Sequence, residues 1–189
     1  VDSLHSKPPR PFGALPDQIG RYGTRLGRAV HGVLQLVDLG APDQGLDALV
    51  AEQCAAEDVP DRLVAYVGRL VRSVVASEVF SRMVAASATT TVRREMYVGG
   101  EVAGEGVYGI IDAVWMQGDE FVLVDFKTDH ALLPAEVLAE RYRPQLQAYA
   151  DALFAATRRR VGEAVLCVAR PDGSPALTIE VAITPAVSA

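Results

Sequence analysis

The spacing of apolar residues changes from helical to strand-like near Ala88, and this change restricts the chain to a fold that combines helices with a sheet. Before Ala88, apolar residues recur three and four positions apart, which places them on one face of a helix. Helices are predicted around residues 22–37, 46–50 and 63–75, and a short fourth helix follows a break near Ser77 and runs through Met83. We expect this N-terminal helical segment to pack against a flat partner.

After Ala88, runs rich in β-branched residues are typical of strands. Strands are predicted at residues 89–98, 107–116, 120–127 and 161–168, with an edge strand at 176–183. A helix from about Pro134 to Arg158 lies between the third and fourth strands, and Pro144 is expected to interrupt or kink it. This order predicts an α/β domain with a mixed central sheet flanked by helices.

The length and composition suit one domain with a full core, because half of the 189 residues are hydrophobic. Four prolines among the first 20 residues predict an extended linker at 1–20, followed by a domain at 21–189. The chain begins with Val1 and has no signal peptide pattern, which indicates a piece of a longer polypeptide. No apolar run reaches about 18 residues, so no membrane segment is expected. Two cysteines fit neither a disulfide framework nor a four-cysteine metal site, which favours a reducing cytoplasm.

Gly118-Asp119 is a predicted tight turn that fixes the register of the second and third strands. If the residues that flank this turn pair with each other, Asp112 falls directly opposite Asp125, and Lys127 shares their face. Two facing carboxylates repel each other, and Mg²⁺, with oxygen ligands at about 2.0–2.1 Å, would hold them together. A register error of one residue would put the aspartates on opposite faces. The simpler alternative is an Asp–Lys pair on the surface.

Five short motifs occur in order between residues 27 and 149. They are Gly27-Arg28-Ala29-Val30-His31-Gly32-Val33-Leu34, Arg93-Arg94-Glu95, Gly109-Ile110-Ile111-Asp112, Asp125-Phe126-Lys127-Thr128 and Tyr142-Arg143-Pro144-Gln145-Leu146-Gln147-Ala148-Tyr149. As a set, they resemble the RecB-like nuclease family. This family is a branch of the PD-(D/E)XK nucleases found at the C-terminal end of RecBCD- and AddAB-type helicase–nucleases. The resemblance implies a restriction-endonuclease-like core.

The resemblance also implies a role for each motif. The metal ligands would be His31, Asp112, Asp125 and the backbone carbonyl of Phe126, with Mg²⁺ as the ion and Mn²⁺ as a substitute. Lys127 would be the catalytic lysine. Gln145 and Tyr149, which share one helix face, would help to hold the substrate or the lysine. Glu95 would be either a ligand through water or a partner for Lys127.

The function implied by the resemblance is that of a Mg²⁺- or Mn²⁺-dependent deoxyribonuclease that leaves a 5′ phosphate and a 3′ hydroxyl, with exonuclease action favoured over endonuclease action. The substrate would be DNA, preferably single-stranded, and the partner would be the helicase motor of an ATP-dependent helicase–nuclease in double-strand break repair and recombination. The sequence has no G-x-x-x-x-G-K-[ST] loop, so ATP would bind elsewhere. Some relatives hold an iron–sulfur cluster with four cysteines, and two cysteines exclude that subtype.

Each assignment has a simpler alternative. His31 could be a packed or solvent-facing histidine, Glu95 a salt-bridge partner of its basic neighbours, and Tyr149 a core residue in a stripe with Leu146 and Leu153. Three arginines are candidate phosphate ligands, namely Arg28, Arg141 and Arg143. Isolated arginines are, however, usually solvated.

The net charge of −6 argues against a free-standing binder of nucleic acid, because such proteins bind phosphates through Lys and Arg. This charge favours a rival function, in which the same fold binds DNA or a helicase partner without cutting. A third reading is an unrelated α/β protein with an accidental pattern.

Overall fold

The computed structural model describes the backbone of residues 24–102, 105–128 and 133–185, and the side chains of these residues apart from 100–108. The predicted linker at 1–20 lies outside the described residues. Within them, the elements follow the predicted order: α1 (Arg25–Leu36), α2 (Leu46–Ala56), α3 (Asp61–Val75), α4 (Glu78–Ser87), β1 (Arg93–Val102), β2 (Glu105–Gln117), β3 (Glu120–Lys127), α5 (Ala135–Thr157), β4 (Val161–Val168) and β5 (Leu177–Glu180). The bounds of β3 and β4 are those predicted, and β5 is shorter than predicted.

The predicted start of β1 is too early, because the end of α4 extends further along the chain. The amides of Thr89 and Thr90 donate hydrogen bonds to the carbonyl of Ala86 and so continue the last turn of α4. β1 begins only at Arg93. The β-branched threonines therefore form a helix end rather than a strand.

Of the two predictions for Pro144, an interruption or a kink, the interruption is wrong, because α5 continues through this residue. A proline in a helix removes the hydrogen bond to the carbonyl four residues earlier. That carbonyl belongs to Glu140, which is exposed, so water can satisfy it. The continuous helix keeps both of its halves against the sheet.

The five strands form one mixed sheet in the order β1-β2-β3-β4-β5. β3 and β4 are parallel, and the other three neighbouring pairs are antiparallel. A parallel pair requires a long crossover connection, and α5 provides it. The prediction of a mixed sheet is therefore confirmed.

Two apolar cores cover the two faces of the sheet. The helices α1–α4 pack on one face against residues such as Trp115 and Val124, and α5 packs on the other against residues such as Leu123 and Leu166. None of the helices in the described part of the chain has both the length and the apolar character that crossing a membrane requires.

The side chains of β3 alternate between these two faces, and this alternation positions the residues of interest. Val124 and Phe126 belong to the core beneath α1–α4, whereas Leu123 belongs to the core beneath α5. Because strand side chains alternate, Asp125 and Lys127 point toward α5. The strand is central and buried on both faces, which explains its nearly continuous apolar sequence.

Candidate active site

The helix α1 brings His31 to the sheet. Its N-terminus is capped by Thr24, whose hydroxyl accepts a hydrogen bond from the amide of Gly27. Near its C-terminus, Nη1 of Arg94 in β1 donates to the carbonyls of Leu34 and Val37, at 3.1 and 2.6 Å. These bonds join α1 to β1, and the neighbouring Glu95 contacts His31 instead of Arg94 among the described residues.

Three residues, His31, Glu95 and Asp112, come together from α1, β1 and β2, and we call them the acidic pocket. Nδ1 of His31 lies 3.1 Å from Oδ1 of Asp112 and 3.6 Å from Oε1 of Glu95. One ligand atom of each residue lies within 4.8 Å of the others. The side chains of Glu95 and Asp112 are only 11% and 9% exposed, so two acids share a site with little water.

The charges of the acidic pocket favour a cation. Burial would lower the pKa of His31, but the carboxylates of Asp112 and Glu95 outweigh it and raise that pKa to about 10. Burial would raise the pKa of Asp112, but His31, Lys127 and the amide of Phe126 together hold it below its usual value. Asp112 therefore remains ionised, and His31 carries a positive charge beside it.

The backbone of Glu95 is in the left-handed region, with a φ of +51°. This conformation costs a residue with a side chain about 1–3 kcal/mol, and such strain is concentrated at functional sites. The β1–β2 ladder pairs Arg94 with Ala113 and Met96 with Ile111, and it skips Glu95 and Asp112 between them. The local break thus occurs at the two acids of the acidic pocket.

A second group, the lysine pocket, consists of Asp125, Lys127, Gln145 and Tyr149. Nζ of Lys127 lies 2.6 Å from Oδ2 of Asp125. Nε2 of Gln145 donates to Oδ1 of Asp125 at 3.3 Å and to the hydroxyl of Tyr149 at 2.9 Å. Oε1 of Gln145 accepts from Nζ of Lys127 at 3.5 Å. Gln145 therefore connects the other three residues.

Burial has opposite effects on the ionisable groups of the lysine pocket. It raises the pKa of Asp125, and although Lys127 opposes this, the net value is about 6. For Lys127, the carboxylates of Asp125 and Asp112 outweigh burial and raise its pKa. Burial and the charge of Asp125 raise the pKa of Tyr149 to about 12. At neutral pH, Lys127 is a cation and Tyr149 a neutral phenol.

Gly109 in β2 allows Tyr149 to reach the lysine pocket. A Cβ atom at Gly109 would lie 2.4 Å from Cε1 of Tyr149 and 2.9 Å from its hydroxyl oxygen, which is closer than real Cβ contacts allow. Gly109 has no role of its own among the sequence-based predictions. A glycine inside a strand is a signal of close approach by another group, and it could have indicated one.

The donor atoms of the acidic pocket fit a divalent cation. Carboxylates suit Mg²⁺ and Mn²⁺, and an imidazole is also a ligand of first-row metals. Two ligands at about 2.0–2.2 Å on opposite sides of an ion lie roughly 4–4.5 Å apart, which agrees with the spacing of this pocket. Oδ2 of Asp125 is buried and makes no hydrogen bond of good geometry despite its contact with Lys127, so it retains an acceptor position.

A family model for the PD-(D/E)XK nuclease superfamily matches residues 10–185. The chain belongs to this superfamily. It is 35% identical over 84% of its length to a protein of Desulforudis audaxviator that is named as a subunit of an ATP-dependent helicase/nuclease. It is 30% identical over 78% of its length to the protein of the same name from Streptococcus suis. It spans only 14% and 12% of the length of these two relatives.

A solved structure, that of a candidate exonuclease from Eubacterium rectale, is similar in fold to this PD-(D/E)XK chain. The match has a TM-score of 0.51 and 13% sequence identity, and it covers 79% of this chain and 59% of the other. At this identity, the likeness concerns the fold alone. It agrees with the restriction-endonuclease-like core that the motifs implied.

The predicted hairpin register is confirmed in this PD-(D/E)XK chain. Gln117 pairs with Glu120 across the turn, and the ladder continues to Ala113 opposite Val124. The next position would pair Asp112 with Asp125, but the ladder ends there. Instead, Oδ2 of Asp112 accepts a hydrogen bond from the amide of Phe126 at 2.6 Å.

The expectation that both aspartates form one cluster differs from the structure. Among the described residues, the group that could hold a metal ion contains His31, Glu95 and Asp112, and Asp125 instead contacts Lys127 and Gln145. The reason is that the side chains of β2 do not alternate regularly around Asp112. Ile111 and Val114, three residues apart, both belong to the core under α5, whereas Ala113 belongs to the core under α1–α4. Asp112 therefore turns toward His31.

The remaining candidates have the following partners. Among the described residues, Glu95 contacts His31 and not Lys127. Tyr149 is only 7% exposed and belongs to the core under α5, and it also bonds Gln145, so the two readings of this residue are compatible. Arg28 and Arg143 form ion pairs with Glu57 and Glu140.

Proposed function

We propose that this chain is a Mg²⁺- or Mn²⁺-dependent deoxyribonuclease domain that hydrolyses DNA phosphodiester bonds. The observation that supports it most is the juxtaposition of the acidic pocket and the lysine pocket. The bond from the amide of Phe126 to Asp112 joins them, because Phe126 lies between Asp125 and Lys127 in β3. A group of residues that could hold a cation and a buried ammonium group thus lie side by side.

His31, Glu95 and Asp112 would hold the metal, with Asp125 and the backbone carbonyl of Phe126 as further ligands. When bound, a divalent ion lowers the pKa of a water molecule and offsets the negative charge that builds up on phosphorus during in-line attack. The strained Glu95 supports this role, because the strain brings a second acid to a pocket that already contains Asp112.

Lys127 would provide a fixed positive charge for the attacking water or for the phosphoryl oxygens. Its raised pKa keeps the ammonium charged, and burial makes the charge more effective than in water. Gln145 would orient Lys127 and Asp125 through its two hydrogen bonds to them, and Tyr149 would orient Gln145. The four residues form a connected network in which each restrains the next.

We further propose that the domain works within an ATP-dependent helicase–nuclease, in the cytoplasm, during double-strand break repair and recombination. The names of the two relatives support this, and the small share of their length that the chain spans is consistent with one domain of a larger assembly. ATP would bind outside this sequence, on a helicase partner. We propose single-stranded DNA as the preferred substrate. We also propose that the domain acts as an exonuclease.

A cleavage assay tests the proposal. Labelled linear and circular single-stranded DNA are incubated with Mg²⁺ or Mn²⁺ and with wild type, Asp125→Ala or Lys127→Ala, and the matched control is Asp151→Asn, whose carboxylate bonds Gln147 on α5. We expect cutting of linear DNA by wild type and the control, inhibition by a chelator, and little cutting by the two site variants. Equal cutting by wild type and both site variants would contradict the proposal. Cutting of circles would contradict the exonuclease mode alone.

The second candidate is a non-cutting module that binds DNA or a helicase, and the net charge of −6 is the observation that favours it. Calorimetric titration with Mn²⁺ separates the two candidates. Binding that disappears in Asp112→Asn supports the nuclease. No binding by the wild type supports the non-cutting module.

A further inference from the structure

Arg141 lies on α5 directly before Tyr142 and four residues before Gln145, the residue that connects the lysine pocket. Residues four apart lie on the same side of a helix, about 6 Å apart along its axis. The side chain of Arg141 is half-buried. Its position is therefore one helical turn from groups that contact Asp125 and Lys127.

Arg141 differs in its surroundings from three other arginines of the described residues. Arg28, Arg82 and Arg143 each contact a carboxylate. Arg141 has no carboxylate partner among the described residues. Its Nε is fully buried and has no hydrogen-bond acceptor. Its guanidinium lies over the ring of Tyr142, whose centre is 5.8 Å from Cζ. A buried donor without an acceptor is costly, and no carboxylate balances this guanidinium, so its terminal N–H groups are suited to an added anion.

The ring of Tyr142 has a second cation near it, because Nζ of Lys127 lies 4.5 Å from the ring centre. Asp125 already balances Lys127. Two positive charges thus lie around one aromatic ring, and the carboxylates of Asp125 and Asp112 both act on Lys127. An anion beside Arg141 would balance a guanidinium that has no carboxylate partner among the described residues.

We infer that Arg141 binds a backbone phosphate next to the phosphate that is cut. This inference rests on the proposed function and assigns a substrate contact within it. The planar guanidinium matches phosphate oxygens with two parallel N–H groups, and its contact with Tyr142 orients it before DNA arrives. Arg141 lies one helical turn from Gln145, which bonds Lys127, so we place its phosphate beside the one that Lys127 serves.

The test uses single-stranded DNA in which one phosphate at a time is replaced by an uncharged methylphosphonate. Affinity and cleavage are measured for wild type, Arg141→Gln and Arg143→Gln, the last being an exposed arginine on the same helix that pairs with Glu140. We expect Arg141→Gln to weaken DNA binding about 10-fold or more and to reduce the salt dependence by about one phosphate contact. Arg143→Gln should bind as wild type does.

The series of methylphosphonate substitutions identifies which phosphate contacts Arg141. A methylphosphonate next to the scissile position should weaken wild type and Arg143→Gln, but it should not weaken Arg141→Gln further. Arg141→Lys serves as a second variant, because it keeps the charge and should retain the salt dependence while it loses part of the affinity. Circular dichroism checks that each variant is folded.

The outcomes for this inference and for the proposed function are distinguishable. If wild type cuts DNA and Arg141→Gln responds to every methylphosphonate as wild type does, Arg141 makes no phosphate contact and the inference alone is overturned. If DNA binds in an Arg141-dependent way but is not cut, the nuclease function fails and the contact stands. Wild type that neither binds nor cuts overturns both.

Discussion

The acidic pocket and the lysine pocket lie next to each other, but they balance their charges in different ways. The acidic pocket has two carboxylates and one imidazole, and it keeps the pKa of that imidazole at about 10. In the lysine pocket, one carboxylate contacts a permanent ammonium group, and Gln145 supplies hydrogen bonds to both. The acidic pocket has more carboxylates than cations and can accept a metal ion, whereas in the lysine pocket the ammonium group already offsets the carboxylate. Metal binding and charge stabilisation should therefore be separable by mutation.

The largest effect is expected from Asp112→Asn. Asp112 contributes to the acidic pocket and also accepts the amide of Phe126, so this change should abolish Mn²⁺ binding. Cleavage should fall by more than about 100-fold, since even groups outside the metal's own ligands cost about 10–100-fold when removed. Calorimetry and a cleavage assay measure the two losses, with Asp151→Asn as the control. A variant that still binds Mn²⁺ would contradict the assignment of the acidic pocket.

Lys127→Met should separate the two pockets. Cleavage should fall about 100-fold, as for other groups that stabilise charge during reaction, but Mn²⁺ binding should remain. Removing one partner of the buried pair with Asp125 should also reduce the free energy of unfolding by about 3 kcal/mol.

The double variant Lys127→Met/Asp125→Asn is the control for that loss of stability. It should recover most of the free energy of unfolding in a denaturant titration, because it leaves no unpaired charge, while cleavage stays low. A loss of Mn²⁺ binding in Lys127→Met as large as that in Asp112→Asn would contradict the separation of the pockets.

Gly109→Ala should have an intermediate effect. The new Cβ would collide with the ring of Tyr149, so we expect a destabilisation of about 1–3 kcal/mol and slower cleavage from a displaced Gln145. Adding Tyr149→Ala removes the collision, so the effects of the two changes on stability should not be additive. Additive effects in thermal unfolding would show that the two residues do not meet.

The smallest effect is expected far from both pockets, at the ion pair of Arg82 and Glu163. Glu163→Gln should cost about 0.5–1 kcal/mol at neutral pH and leave cleavage unchanged. Arg82 lowers the pKa of Glu163 below its ordinary value of 4.5, so the stabilisation is present above that value and is lost as the pH falls below it. Urea titrations at several pH values measure this, and a difference that grows in acid would contradict it.

Much of the fold was predictable, because its signals are local in the sequence. β3 and β4 occupy the predicted residues, since each is an apolar run bounded by polar or turn residues. The register of the hairpin followed from Gly118-Asp119 alone, and Gly118 has the positive φ that such a turn requires. The presence of His31 on the first helix and of Gln145 and Tyr149 on one helix face was also predictable.

The division of the acids between two pockets was not predictable. It depends on the left-handed backbone at Glu95 and on the break in alternation at Asp112, and neither has a signature in residue type. Regular alternation would place Asp112 and Asp125 together. The close approach of Tyr149 to Gly109 depends on how α5 crosses the sheet, which two residues so far apart in the sequence cannot reveal.

Anomalous diffraction from a crystal soaked in Mn²⁺ would test directly whether the acidic pocket holds the metal ion. The data are measured at a wavelength where manganese scatters anomalously. We expect an anomalous peak bounded by His31, Glu95 and Asp112, with Nζ of Lys127 outside the coordination shell. A peak elsewhere, or no peak at saturating Mn²⁺, would contradict it.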